Sequence, residues 1–275
     1  MRIALCNEVL AGMPFEAQCA YAASLGYDGL EVAPFTLAED PLALTTNECR
    51  VLRRAAEEVG IAITGLHWLL VAPKGLSLTD PDPPTRRRTI EAMKRLCGLC
   101  AELGGRYLVH GSPAQRRLPE RDIHAPKGWA LEAFRKAAEA AEEAGVIYCL
   151  EPLSRQETNF VNTVAEAIGI VEGIGSNHFC TMIDCSAAGL TEEQSVPQLI
   201  DEWMPSGLIR HIQVNDPNRR GPGQGEMDFA PILAALKRNN YQGDIGVEPF
   251  EYVPDGPGVA EHSIRYLRRI LEALP

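Results

Sequence analysis

Three acidic residues each close a short apolar run: Glu151 ends VIYCLE (146–151), Asp184 ends FCTMID (179–184) and Glu248 ends IGVE (245–248). A carboxylate carried into an apolar setting is costly unless it is paired or bound to a cation, and several at one place add mutual repulsion. A divalent ion removes that cost. Beside them stands RHIQVND (210–216), where alternation puts His211 and Gln213 on one face of a strand. Imidazole is the usual ligand and a Gln carbonyl a rare one, so spacing alone makes His211 the natural choice. Three carboxylates with one neutral N or O donor form a hard, mostly oxygen site. That suits Mn²⁺ or Mg²⁺ better than a tetrahedral structural zinc. Taken singly, each acid has a plainer use: Asp184 as the N-cap of the next helix, either Glu as a solvated rim residue. His67 and His110 also end apolar runs, and each serves equally as a ligand contact or as a satisfied core histidine.

A repeating pattern must position these residues. Eight strand-like apolar runs recur, at 2–6, 29–35, 61–69, 106–111, 146–152, 179–184, 209–215 and 245–250. Between them apolar residues return at spacings of three and four, as in 48–60, 88–104, 129–145 and 229–240, the mark of amphipathic helices. Gly26, Gly60, Gly104 and Gly145 follow such stretches as C-terminal caps. Strict alternation of strand and helix requires a parallel sheet. Eight units in 275 residues fit a closed (β/α)8 TIM barrel of the α/β class better than an open sheet. The open alternative also lacks its Gly-x-Gly-x-x-Gly after the first strand, where MPFEAQC opens the first helix instead. With no linker-like stretch, residues 1–275 are expected to form a single catalytic domain. Such barrels work at the C-terminal ends of their strands. His67, His110, Glu151, Asp184, His211, Gln213 and Glu248 all fall there. Loops 71–85 and 112–128 are expected to cover that mouth.

Bulk properties exclude other uses. A net charge of −11 opposes binding to nucleic-acid phosphates. The densest basic run, Arg86-Arg87-Arg88, starts a helical pattern and reads as a solvated face. No apolar run reaches about 18 residues, so no membrane span is expected. MRIALCNEVL begins as a strand with no signal-like region. Eight scattered cysteines, with Cys97-x-x-Cys100 alone inside a helical pattern, read as buried free thiols of a reducing cytoplasm.

EPLSRQETNFVNTVAEA (151–167) carries a resemblance. It is similar to the E-P-L-N-R-x-E-T-x-x-x-N-T pattern of the sugar isomerase/epimerase superfamily, which has the xylose isomerase-like TIM barrel. Within it the chain most resembles the ketose 3-epimerases and related keto-sugar epimerases, departing mainly at Ser154. DPNRRGPGQGEMDF (216–229) resembles the family's D-x-N-R-x-x-P-G-x-G-x-x-D-F, and residues 75–93 and 245–250 share its style. The likeness covers the whole chain. It implies that Glu151, Asp184 and Glu248 are three metal ligands. The fourth is normally the second His of H-x-H-x-x-(D/E), a position that falls on Gln213. His211 then lies one layer deeper, as a supporting neighbour or alternative ligand. Hydroxypyruvate isomerases of the family also read H-I-Q, with Gln as ligand. The D-T-F-H of the epimerases reads Asp184-Cys-Ser-Ala187 here, so a substrate-contacting His is missing.

The resemblance implies a divalent-metal-dependent epimerase or isomerase of a small keto sugar or keto-acid sugar. One ion, Mn²⁺ with Mg²⁺ or Co²⁺ as alternatives, would stabilise an enediolate while Glu151 and Glu248 transfer the α-proton. Glu157 and Arg219 match residues that hold substrate oxygens. His67, His110 and Trp68 are expected along the substrate. No Gly-rich phosphate cradle appears beyond GPGQG, which favours an unphosphorylated substrate. A keto-sugar or keto-cyclitol dehydratase starts with the same proton removal and is the main alternative. An abasic-site endonuclease on a related barrel would need a His where Ala187 stands and a D-x-H where the chain has Asp216-Pro-Asn. A non-catalytic sugar-binding barrel would not need a second proton-transfer carboxylate. The expected partners are a small keto sugar or keto acid and further copies of the chain, as homodimer or homotetramer. Neither nucleic acid nor membrane is expected.

Overall fold

In the computed structural model of the chain, which describes residues 1–274, each apolar run contains a strand. These are β1 (Arg2–Cys6), β2 (Gly29–Val32), β3 (Ala62–Leu66), β4 (Tyr107–His110), β5 (Ile147–Leu150), β6 (Phe179–Asp184), β7 (Ile209–Val214) and β8 (Asp244–Val247). They pair in parallel in sequence order, and β8 closes on β1 to complete a barrel. The helices between and around them are α1 (Phe15–Leu25), α2 (Thr46–Glu58), α3 (Pro83–Leu103), α4 (His124–Ala144), α5 (Val164–Ile174), α6 (Cys185–Thr191), α7 (Val196–Trp203), α8 (Phe229–Arg238) and α9 (Gly256–Ala273).

Local chemistry sets the helix limits. Thr45 and Glu48 form a reciprocal capping box that opens α2. Gly26, Gly104 and Gly145 take left-handed conformations that end α1, α3 and α4, as their positions in the sequence predict. The loops after β3 and β4 end earlier than the predicted 71–85 and 112–128, because α3 starts at Pro83 and α4 at His124. The first turns of both helices, PPTRRR and HAPKG, are too polar to show a helical period. Asp82 nonetheless caps α3 by accepting from Thr85 N at 2.9 Å. The two loops are tied to each other: Leu78 N donates to Gln115 O at 2.7 Å, and Thr79 Oγ1 to Arg117 O at 2.7 Å.

Strand alternation sorts side chains into two layers. Those facing the helices build the main core, where Tyr148 stacks on Phe179 at 5.8 Å and Phe179 meets Phe134 of α4 at 5.7 Å. Inside the barrel Tyr107, Val109, Cys149 and Met182 form a separate apolar layer. The barrel is therefore filled at this level, and polar side chains begin where that layer ends. Registry puts Asp184 opposite Gln213 and Gln213 opposite Gly246. All eight cysteines are free and buried, as expected. Among the described residues no helix is long and apolar enough to cross a membrane.

Phe134 is wholly buried at the junction of α4 with the barrel. Phe134→Ala should lower unfolding free energy by about 3–5 kcal/mol in urea titrations. A loss under about 1 kcal/mol would contradict this packing.

Candidate active site

The inward residues that follow the strands meet at one end of the barrel. Glu151, Asp184 and Glu248 each bring a carboxylate oxygen there, all three within 4.8 Å of one another. Asp184 also caps α6: Oδ1 accepts from Ala187 N at 2.6 Å, and Oδ2 from Asn215 Nδ2 at 2.7 Å. The plain use of this acid and its place in the cluster hold together. Glu248 Oε1 accepts from His67 Nδ1 at 2.9 Å and from Trp68 Nε1 at 3.1 Å, while Oε2 has no partner among the described residues. Glu151 fits because the neighbouring strand β4 runs into Gly111, whose missing Cβ would collide with Oε2.

Full ionisation here would be costly. At such separations each carboxylate pair repels by on the order of 3 kcal/mol with an effective dielectric of about 20. Three pairs then rival the whole net stability of a domain, about 5–15 kcal/mol. Without a cation the acids hold protons instead. Burial, then Glu248 and Asp184, push Glu151 well above the usual carboxylate range. Burial pushes Asp184 up to about 7 against the pull of Ala187 N and Asn215. It pushes Glu248 up to about 8 against the pull of His67.

Gln213 lies in register with Asp184 and projects into the barrel, where its Nε2 donates to Glu31 Oε1 at 2.8 Å. Its Oε1 is buried with no partner among the described residues. An orphaned buried oxygen costs about 1–3 kcal/mol unless something electropositive meets it. Glu248 Oε2 is a second such atom. These two oxygens with the carboxylates of Glu151 and Asp184 fit a hard divalent cation. His211 sits differently. Its Nε2 lies 2.9 Å from Glu31 Oε2, off the hydrogen-bond axis, and its ring stacks on Tyr107 at 4.1 Å. Burial alone would raise the pKa of Glu31, yet His211 and Tyr107 help bring it down to about 2.

Cys6, Glu8, His67 and Glu248 form a second close group. There His67 contacts Glu248 through Nδ1 and Glu8 through Nε2, both at 2.9 Å. Burial works against its charge, but Cys6, Glu8 and the bond to Glu248 hold its pKa well above the ordinary histidine range. With both nitrogens on carboxylates, the imidazolium is itself the cation of this group.

A cleft of about 340 Å³, counting its open mouth, lies over the cluster and is lined by His67, Trp68, Gly111, Glu151, Glu157 and Phe250 among others. An adjoining hollow of about 400 Å³ shares Glu151, Glu157 and Phe250 and adds Asp184, Ala187 and Arg219. Trp68 meets Phe250 edge-on at 6.2 Å, and the Arg219 guanidinium lies 4.5 Å over the Phe250 ring. Glu157 Oε2 accepts from Ser154 Oγ at 2.7 Å. The cleft thus joins an apolar wall to a polar floor, which suits a small hydroxylated molecule.

Residues 19–270 match the family described as the xylose isomerase-like TIM barrel. The chain belongs to this family. A D-psicose 3-epimerase of Enterocloster bolteae is 30% identical over 265 residues, covering 89% of this chain and 84% of the relative. A 3-dehydro-D-guloside 4-epimerase of Escherichia coli is 24% identical over 259 residues, covering 90% of this chain and 92% of the relative. The crystal structure of an E. coli 3-keto-D-glucoside 4-epimerase superposes with a TM-score of 0.83 at 23% identity, over 98% of this chain and 99% of that one.

On this xylose isomerase-like barrel, Glu151, Asp184, Gln213, Glu248, His67, Trp68, Glu157 and Arg219 gather at one end, with His211 one layer below. His110 does not join them. Tyr107, Val109 and Gly111 face inward, so His110 faces the helices, its Nδ1 2.6 Å from Tyr148 Oη and its ring edge-on to Phe134 at 5.4 Å. Burial and nearby Arg116 hold its pKa well below the ordinary value. The expected substrate contact is a core histidine. Three polar residues escaped the sequence reading. Glu31 stood as an acid inside the apolar run GLEVAPF, a visible signal. Asn215 lay within RHIQVND. Arg116 looked like any surface Arg-Arg pair, yet it is wholly buried and donates to the carbonyls of Glu151 at 2.7 Å and His110 at 3.2 Å.

The folded acids bind protons that the unfolded chain has released. Their stabilising effect is complete below pH about 4 and is lost as pH rises through about 7 for Asp184 and about 8 for Glu248. In EDTA the melting temperature should therefore fall between pH about 4 and about 8, and saturating Mn²⁺ should flatten that slope. Equal slopes with and without Mn²⁺ in scanning calorimetry would contradict proton replacement by the ion.

Proposed function

We propose that this protein is a divalent-metal-dependent epimerase of a small, unphosphorylated keto sugar or keto-acid sugar. The observation that carries this reading is the pair Glu151 and Glu248. They reach one site from β5 and β8, with carboxylate oxygens within 4.8 Å and Asp184 beside them. Inversion at a carbon next to a carbonyl needs one base to take the α-proton and one acid to return it from the other face. Two glutamates, one ionised and one protonated, would do both. The names of the two sugar-epimerase relatives, a psicose 3-epimerase and a 3-dehydro-guloside 4-epimerase, each put the inverted carbon beside a carbonyl.

Glu151, Asp184, Gln213 and Glu248 would hold the ion. Bound there, Mn²⁺ (or Mg²⁺ or Co²⁺) supplies Lewis-acid polarisation of the substrate carbonyl and charge to balance proton removal. His67 and Trp68 both bond Glu248 Oε1, which fixes that side chain and leaves Oε2 to work. Glu151 is free to approach the opposite face. Glu157 and Arg219 bind hydroxyl and carbonyl oxygens at the cleft's edge, and Trp68 with Phe250 forms the wall along the carbon skeleton. Ala187 lines the hollow without offering a polar contact, so substrate choice falls to the other lining residues.

A panel of ketoses and keto acids in D₂O with Mn²⁺, followed by NMR, should show deuterium uptake beside the carbonyl of a substrate, abolished by chelator. Glu248→Gln should slow exchange by about 10²–10⁴-fold. Exchange untouched by chelator, or full exchange in Glu248→Gln, would refute the mechanism.

A further inference from the structure

An amide presents two chemically opposite ends, and only one can serve a cation. Something must decide which end of Gln213 faces the three carboxylates. We infer that Glu31 does so: it is a positioning residue that turns the Gln213 carbonyl oxygen toward the metal site. The inference rests on the proposed function only in that a divalent ion binds among Glu151, Asp184, Gln213 and Glu248.

The geometry leaves one arrangement. Glu31 on β2 is wholly buried and reaches across the barrel to β7. Its Oε1 is contacted by Gln213 Nε2 at 2.8 Å. A carboxylate only accepts hydrogen bonds, so the NH₂ end must face it and the oxygen must face away. A flipped amide would set two acceptor oxygens against each other and turn a donor toward the cluster. The observed Gln213 Oε1 is buried and partnerless among the described residues, as a reserved ligand atom would be.

Glu31 is itself held so that Oε1 stays available. Tyr107 Oη donates to Oε2 at 2.7 Å, and His211 Nε2 lies 2.9 Å from the same oxygen. Gly246 leaves the space, since a Cβ there would come within 2.5 Å of Glu31 Oε2 and 3.2 Å of both Gln213 Cγ and His211 Nε2. His211 and Tyr107 thus engage one carboxylate oxygen and leave the other to Gln213. Residues that orient a ligand in this way commonly carry a large share of metal affinity.

The test measures Mn²⁺ binding to the full chain by EPR of the free ion, with no substrate present. Glu31→Gln lets the amide at 213 turn either way and should weaken Mn²⁺ about 10–100-fold. Tyr107→Phe disturbs the same buried network but leaves the Glu31–Gln213 bond, and should change affinity by no more than about two- to threefold. Exchanging the pair, Glu31→Gln with Gln213→Glu, reverses donor and acceptor and should restore binding to wild-type strength or better. The swap also decides the matter if Glu31→Gln alone fails to fold. The inference is overturned if Glu31→Gln binds Mn²⁺ like the wild type, if Tyr107→Phe weakens it equally, or if the swap does not recover it. Wild type that binds no Mn²⁺ would overturn the metal reading as well, whereas wild type that binds it equally with Glu31→Gln overturns this inference alone.

Discussion

Three buried carboxylates within 4.8 Å of one another cannot all keep their charge without help. That constraint organises the open end of the barrel. Ala187 N and Asn215 use both oxygens of Asp184, and His67 and Trp68 use one oxygen of Glu248. What they leave is Glu248 Oε2, the carboxylate of Glu151 and the orphaned Oε1 of Gln213. These atoms have in common a lack of donors. A cation of hard character completes them, and so do protons, which is why these acids hold protons more tightly than ordinary carboxylates.

A second polar group lies one layer deeper, around Glu31. Glu31 accepts from Tyr107 and Gln213 and packs against His211 inside the barrel, with Gly246 making the room. His67 similarly balances Glu8 and Glu248 to one side. The barrel thus separates paired side chains, which hold one another still, from an open cluster, which is left reactive. Gln213 joins the two: its nitrogen belongs to the closed layer and its oxygen to the open one. Rigid support beneath a reactive site is what a proton transfer between two faces of one carbon requires.

Much of this could be read in the sequence, for physical reasons. Parallel strands buried on both faces must be apolar runs, so all eight were visible, and an acid that closes such a run stands out against it. Strand parity was the weak point. His110 and Gly111 are adjacent, and only the inward setting of Tyr107 and Val109 shows that the glycine, not the histidine, faces the site. Parity could not choose between His211 and Gln213 either, since both point inward; the family resemblance favoured Gln213, and Glu31 supplies a physical reason. Arg116 was out of reach, because nothing local separates a buried arginine that serves backbone carbonyls from the exposed arginines beside it.

The central claim is that side-chain oxygens of Glu151, Asp184, Gln213 and Glu248 form one cation site. A crystal structure grown with Mn²⁺, with the ion located by anomalous scattering, tests it most directly. The expected result is a single peak bound by those four side chains, with Gln213 Oε1 on the ion and Nε2 on Glu31. A peak among Cys6, Glu8 and His67, or one ligated by His211 with Gln213 turned away, would contradict it.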